Sequence, residues 1–489
     1  MSLGVERKKQ GNELKKVGIT IVLIVYCVLN IILIMHHEAW RDEAQAWCIA
    51  KNLSVKEIFK LMATEGHLMP WFLILKTFYL LGGEFAWISI ISLIVMVVTA
   101  LIILVKSPFP SFMKVLLVFS PLCFYYNAVI ARCYCLVSFA LVCTAYLRKI
   151  RDYRPIIYGL SVALVMQTHV LILPLGLALT IESFIELFIV KKNRNSKNYL
   201  SILIQFVSLI FAVMELYQGN KPTSYHVTPK AILSRVEYNS VTSNFRTITD
   251  RMYTNSLSKT IALIAIALFL IVTWYSFIDN HAQNSLNEIL IVLVGLLGYI
   301  SIVALIRACD HIQMALIFYE LLMFGLWIVL DRLGNEAKVS FYSICLLAIV
   351  VILSFFNEFV DIKFELTNNY SNSKEMARDI VEEIPYGSTI YVNQSDTLTS
   401  VYAYVGDKRK DISFWDVDVE EPFKCIIRGS NIDRKTPINR NDRVNMEQYW
   451  LTDRDCADMD NFQMIMSETG NNKWDEVFYL YQFGDESSD

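Results

Sequence analysis

Residues 36–71 read HHEAWRDEAQAWCIAKNLSVKEIFKLMATEGHLMPW. Acids, histidines and tryptophans crowd this stretch, with Asp42, Glu43, Glu65 and His67 beside Trp40, Trp47 and Trp71. It follows directly on Val17–Met35, an apolar run long enough to cross a bilayer. Polar chemistry placed immediately after a first membrane span reads as a loop at the water–membrane boundary, and the rest of the chain bears on what such a loop does.

Of 489 residues, 55% are hydrophobic, and the mean hydropathy is +0.41. Soluble domains average roughly 45–50% apolar even when glycine is counted. The excess lies in long runs such as Val17–Met35 and Phe341–Phe356, so the fold class expected is an α-helical polytopic membrane protein. The net charge of −3 conceals a division. From Asp361 onward there are 14 Lys and Arg against 26 Asp and Glu, a net −12, leaving +9 for residues 1–360. Two domains follow: a membrane domain over 1–360 containing the loop 36–71, and an acidic, water-facing domain over 361–489. Nothing in this pattern resembles a nucleic-acid footprint.

Basic residues set the orientation. Arg7, Lys8, Lys9, Lys15 and Lys16 precede the first span, which predicts a cytoplasmic N-terminus and an uncleaved first helix. Reading apolar runs and basic ends together predicts about eleven crossings, with the acidic domain outside the cell on the same side as residues 36–71. Spans 3 and 4 turn around Asn127–Arg132 and end at Arg148, Lys149, Arg151 and Arg154; spans 5 and 6 turn near His169–Pro174 and end at Lys191, Lys192, Arg194 and Lys197. A long outer loop is expected over Gln218–Ser258, and a second outer turn over Arg307–His311. Leu68–Leu81 reads as an aromatic-rich interfacial segment.

The acidic domain reads as a small α/β unit. Ser373 caps a helix with Met376, Ile380 and Ile384 on one face, stopped at Pro385-Tyr386-Gly387; Ser388–Val392 and Val477–Tyr481 read as strands. Most of the 10 cysteines sit in apolar runs and behave as small hydrophobes, Cys133 and Cys135 among them. Cys425 and Cys456 could pair outside the cell, a pairing that spacing does not decide. There is no internal repeat, zinc-type cysteine pair, phosphate-cradling glycine loop or nucleophile elbow.

Asp42 has two readings. As a helix N-cap with Gln45 three residues on, it forms a capping box that opens a helix over Ala44–Lys51. As a carboxylate just outside the first span, it can accept a proton from a hydroxyl that attacks a lipid-borne group. Glu43 could orient it, hold an acceptor or face water, and Glu65 and His67 form a second polar cluster. Arg132, at an outer span end, suits bidentate contact with phosphate oxygens. Arg307 has similar placement, His169 and His311 sit at outer helix ends, and Lys76 is a further phosphate candidate. Snorkelling or packing explains each of these cations and histidines as well.

The pattern Trp40-x-Asp42-Glu43-x-x-x-Trp47-x-x-Ala50, followed by Glu65-Gly66-His67 and Pro70-Trp71, resembles the first outer loop of the GT-C superfamily of polyprenyl-phosphate-sugar-dependent glycosyltransferases, which includes protein O-mannosyltransferases and aminoarabinose transferases. A weaker likeness continues through Ser120-Pro121, Tyr126, Arg132-x-Tyr134 and Arg307 to His311. The related bacterial loops usually continue Glu-Gly-His-Pro, whereas here Leu68 follows His67 and proline comes at 70. The resemblance implies a multi-pass plasma-membrane enzyme with Asp42 as catalytic base and Glu43 as a second acid. Its donor would be a polyprenyl-phosphate-linked sugar and its acceptor a glycan, lipid or protein hydroxyl. Oligosaccharyltransferase relatives use a metal; no clear second metal motif stands here, so no cofactor is expected, with Glu65 and His67 the positions a metal would involve. Two other classes compete. A transporter or lipid flippase predicts ionisable residues near span centres, and a membrane scaffold predicts that the acidic domain matters while Asp42 and Glu43 do not.

Overall fold

A computed structural model of the chain describes residues 2–192, 194–217, 246–253, 255–279, 286–306, 312–333, 337–393, 397–426, 448–453, 455, 462–470, 472–473 and 475–483. The chain is mostly helical, with a small sheet domain at its C-terminal end. In chain order the helices are α1 (Ser2–His36), α2 (Arg41–Asn52), α3 (Val55–Glu65), α4 (Met69–Leu80), α5 (Ser89–Lys106), α6 (Ser111–Val118), α7 (Tyr125–Ala128), α8 (Tyr134–Lys149), α9 (Pro155–Thr168), α10 (Leu173–Phe184) and α11 (Ser196–Leu216). Then come α12 (Arg246–Met252), α13 (Ser256–Asp279), α14 (Leu286–Ile306), α15 (Ile312–Leu333), α16 (Ala337–Thr367), α17 (Ser373–Glu383) and α18 (Leu398–Lys408).

Among the described residues, six helical segments are long and apolar enough to cross a membrane: Lys16–His36, Phe85–Lys106, Val170–Ile189, Ser196–Leu216, Ile312–Asp331 and Phe341–Thr367. A pair, α12 and α13, bent by 118° at the break between them, makes a seventh if it counts as one span. Met69–Leu80, Pro155–Thr168 and Leu290–Val303 are apolar but shorter. This is fewer full-length crossings than the sequence suggests. The third expected span is the clearest departure. It divides into the eight-residue α6, a turn over Ser120–Phe124 and the four-residue α7. Pro121 is the reason: it has no N–H to donate and disfavours the helical conformation at Ser120. The Ser120 hydroxyl instead accepts from Leu122 N at 3.3 Å, and its carbonyl accepts from Cys123 N and Phe124 N. Asn127 ties the irregular backbone to the bundle, donating to Leu122 O, Ser138 Oγ and Glu320 Oε1. Irregular backbone among apolar helices is stable only when its polar groups are satisfied in this way.

The helices sort by environment. On α1, Ile21, Ile24 and Val28 lie on an uncovered face, a surface that suits hydrocarbon rather than water. Ile312–Asp331 is the opposite case, 94% buried within the bundle. Helices α9 and α11 touch closely at Gly159, where a Cβ would come within 2.8 Å of the Ser201 carbonyl. Below α8, Arg148 is held in a fork by Glu182 at 2.5 and 2.6 Å and reaches Glu288, while Arg151 binds Glu182 and Glu186. Arg132 precedes α8 and Arg148 lies in its last turn, so the two stand at opposite ends of that helix, roughly 24 Å apart along it.

The C-terminal domain is a six-stranded mixed sheet in the order β3-β2-β1-β4-β6-β5, from β1 (Thr389–Val392), β2 (Ser413–Asp416), β3 (Glu421–Pro422), β4 (Gln448–Thr452), β5 (Phe462–Glu468) and β6 (Phe478–Phe483). β1 pairs in parallel with β2 and β4, while the outer pairs are antiparallel. Met376, Ile380 and Ile384 are buried, as their spacing predicts, and α17 ends before Pro385 with Ile384 extended. Asn372, rather than Ser373, holds the N-cap position. Helix α16 continues past Asp361 to Thr367, so the sheet domain begins beyond that helix. Cys425 is a free, buried thiol; Cys456 and residues 218–245 of the expected outer loop lie outside the described residues.

Candidate functional site

Residues 36–71 fold as the two short helices α2 and α3 and the first turn of α4. After α1 the chain turns, Trp40 adopts extended backbone, and α2 starts at Arg41. The capping box expected from Asp42 and Gln45 is displaced by two residues. Trp40 is the N-cap, and it is Glu43, in the third helical position, whose carboxylate reaches back to accept from Trp40 N at 3.1 Å. Gln45 does something else: its side-chain amide pairs with both backbone groups of Ile426, at 2.7 and 3.0 Å, pinning the sheet domain to α2. Lys51 reinforces the contact through Asp407 at 2.6 Å.

Glu43 is fully buried and belongs to the scaffold of the loop. Besides Trp40 N, it accepts from Ala131 N at 2.6 Å and bonds His37 Nε2 at 3.0 Å. His37 Nδ1 reaches Glu365 Oε1, also at 3.0 Å, and Tyr125 donates to the other Glu365 oxygen. Burial works against a charged ring, but the two flanking carboxylates outweigh it and raise His37 to about 10. One imidazolium thus joins the first loop to the end of α16. Tyr370 of the sheet domain packs edge-on against His37 and Trp40.

Asp42, one residue earlier, points elsewhere. It lies 3.0 Å from Arg132 Nη2 and 3.9 Å from Arg41 Nε, with 7% of its side chain exposed. The pair borders a recess of about 310 Å³, open space at its mouth included, that Glu65, His67 and Cys133 also line. Two local devices bring these side chains together. Gly66 closes α3 in the left-handed conformation, φ +68°, which costs glycine nothing and turns the chain sharply. The turn lets His67 form an isolated antiparallel bridge with His169, and Val170 N donates to Gly66 O. Arg132 stands just before α8, its guanidinium 5.1 Å from the Tyr134 ring, and Tyr134 stacks on His169. His169 Nδ1 accepts from Leu171 N at 3.1 Å. Burial, with the Arg132 charge, pushes that ring down to about 3, so it is neutral.

The structure therefore gathers Asp42, Glu65, His67 and Arg132 at one recess, sets His169 against the His67 ring with centroids 5.0 Å apart, and separates Glu43 and Lys76 from it. Lys76 donates to the carbonyls of Ala50 and Leu53 at the end of α2, the contacts of a helix C-cap. Arg307 and His311 lie outside the described residues. Neither the family models nor the curated proteins contain a significant match to this chain.

Two participants escaped the sequence reading. Cys133 looks like any other thiol in an apolar run, yet it lines the recess with its sulphur beside the two histidine rings. His37 is visible only as part of His36-His37-Glu38, and its partner Glu365 is 328 positions away. What the recess offers chemically is a carboxylate that can take a proton and a guanidinium that can hold an anion, with the neutral His169 imidazole packed against His67 of its lining.

Proposed function

We propose that this chain is a membrane glycosyltransferase that moves a sugar from a polyprenyl-phosphate donor to an acceptor hydroxyl outside the cell. The observation that carries the reading is the Asp42–Arg132 pair at the recess, 3.0 Å apart, a base and an anion-binding group side by side. The donor phosphate competes with Asp42 for the Arg132 guanidinium, which suits phosphate oxygens bidentately. Drawing Arg132 toward the phosphate frees the carboxylate at the moment the sugar arrives. Asp42 then takes the acceptor proton, the acceptor oxygen bonds the anomeric carbon, and the bond from that carbon to the phosphate oxygen breaks. Polyprenyl phosphate leaves as the anion, and a single displacement inverts the anomeric configuration. In this reading the basic end around Arg148 and Arg151 faces the cytoplasm, and the recess and sheet domain lie outside. In the same reading α8, the shorter apolar helices Pro155–Thr168 and Leu290–Val303, and the divided α6–α7 segment complete a GT-C-like bundle of about eleven crossings.

The test is transfer from undecaprenyl-phosphate-linked hexoses and pentoses in proteoliposomes. Asp42→Asn is expected to abolish transfer while expression and chromatographic behaviour stay unchanged; transfer retained by that variant removes Asp42 as base. A transporter remains the second reading because Glu320 is buried in α15, within a span. Its bonds to Asn127 and Ser138 fit a scaffold role better than a transport path.

A further inference from the structure

We propose that His67, Cys133 and His169 bind one divalent transition ion of the zinc class, leaving a coordination position that opens on the recess. The three come from separate elements: the turn after α3, the N-cap of α8, and the extended residue between α9 and the short helix Val170–Ile172. Their ligand atoms nevertheless lie within 4.8 Å of one another. Tetrahedral zinc with nitrogen and sulphur ligands needs donors roughly 3.4–3.6 Å apart. Closing the set therefore takes side-chain movement of about 1 Å, with no backbone rearrangement.

The scaffold around the donors limits the geometries they can take. The His67–His169 bridge holds their rings 5.0 Å apart, and Tyr134 stacks on His169 with centroids at 5.3 Å. Cys133 is the N-cap of a 16-residue helix; burial pushes its thiol well up, so the thiolate that a metal needs forms only with the ion there to pair it. Leu171 N now occupies the Nδ1 lone pair of His169, so an ion bound there displaces one weak backbone contact. Two imidazoles and a thiolate select a borderline-soft ion such as Zn²⁺; Mg²⁺, Ca²⁺ and Mn²⁺ prefer oxygen ligands. Arg132 stands close by, but Asp42 pairs with its charge, and Glu65 lines the same recess. The fourth position then faces water or an incoming oxygen ligand. This inference is independent of sugar transfer, since ion binding is read without any turnover.

The experiment uses the full chain in detergent, stripped with a mild chelator and titrated with Zn²⁺ and then Co²⁺. One Zn²⁺ per chain is expected, and Co²⁺ should produce a thiolate-to-cobalt charge-transfer absorption. Cys133→Ser should lose that absorption and weaken Zn²⁺ binding by about 100-fold or more. Cys143→Ser, outside the cluster, should change neither. Should Cys133→Ser fail to fold, His67→Gln, at a half-buried turn position, carries the same comparison with the same expected weakening. Zn²⁺ binding by the wild type no tighter than by these variants, or a Co²⁺ spectrum without the thiolate band, overturns the proposal.

Discussion

Replacing Glu43 with alanine should loosen the first loop without touching the recess. The carboxylate satisfies two buried backbone donors, Ala131 N and Trp40 N, and supplies one of the two acids that charge His37. A buried N–H left without a partner costs about 1–3 kcal/mol, and breaking a buried ion pair by removing one partner costs about 3–5 kcal/mol. These terms overlap, because water can enter the vacated space and Glu365 still faces His37. A net loss of about 3–4 kcal/mol in the local opening free energy of α2 is the reasonable figure. At 1.4 kcal/mol per decade, that corresponds to amide exchange over Arg41–Asn52 faster by roughly 10²–10³-fold. Hydrogen–deuterium exchange with mass spectrometry on detergent-purified protein reads this directly, with peptides from α11 as an internal reference. Exchange over α2 within about 3-fold of wild type would refute the assignment of Glu43 to the scaffold. If transfer activity were also lost in that case, Glu43 would return as a reacting acid.

The other expectations concern neighbouring contacts. His37 is raised to about 10, above its ordinary 6.5, so its ion pairs stabilise fully below about pH 6.5 and weaken as pH rises toward 10. Thermal stability should fall across that window, and His37→Gln should flatten the dependence; an unchanged slope in the variant would remove His37 as its source. Gln45→Ala breaks both bonds to Ile426 and should cost about 1–3 kcal/mol of docking, seen as faster proteolytic release of the sheet domain. Equal release rates would mean the amide pair is not what holds the two together. Arg132→Lys keeps a cation beside Asp42 but loses the planar fork, so KM for a polyprenyl-phosphate donor should rise about 10-fold or more while the chain stays folded. An unchanged KM would move the phosphate away from Arg132.

Much of the architecture is legible in the sequence because hydropathy and charge are local and additive. Val17–Met35 announces a span whatever surrounds it, and the alternation of apolar runs with basic ends carries the rest of the membrane reading. The tail is legible for the same reason: Met376 and Ile380 share one buried helix face by spacing alone, and the helix ends before Pro385. The sequence is less informative where a single residue redirects the backbone. Pro121 turns an expected span into two short helices and a turn, and the apolar composition around it gives no warning.

The site divides along the same line. By itself, the sequence determined that residues 36–71 concentrate acids, histidines and tryptophans after a first span, and so where to look. Only the tertiary structure decided which of two adjacent acids faces the recess. Asp42 and Glu43 are neighbours in the chain, but on a helix they point about 100° apart. One meets Arg132 and the other meets His37, Trp40 N and Ala131 N. The gathering of His67, Cys133 and His169 is likewise a product of packing, since no spacing rule connects donors on three separate elements. Local pattern sets which segments are helices and which ends are basic; contact between distant segments depends on how those helices pack, and that is where the chemistry of this protein was chosen.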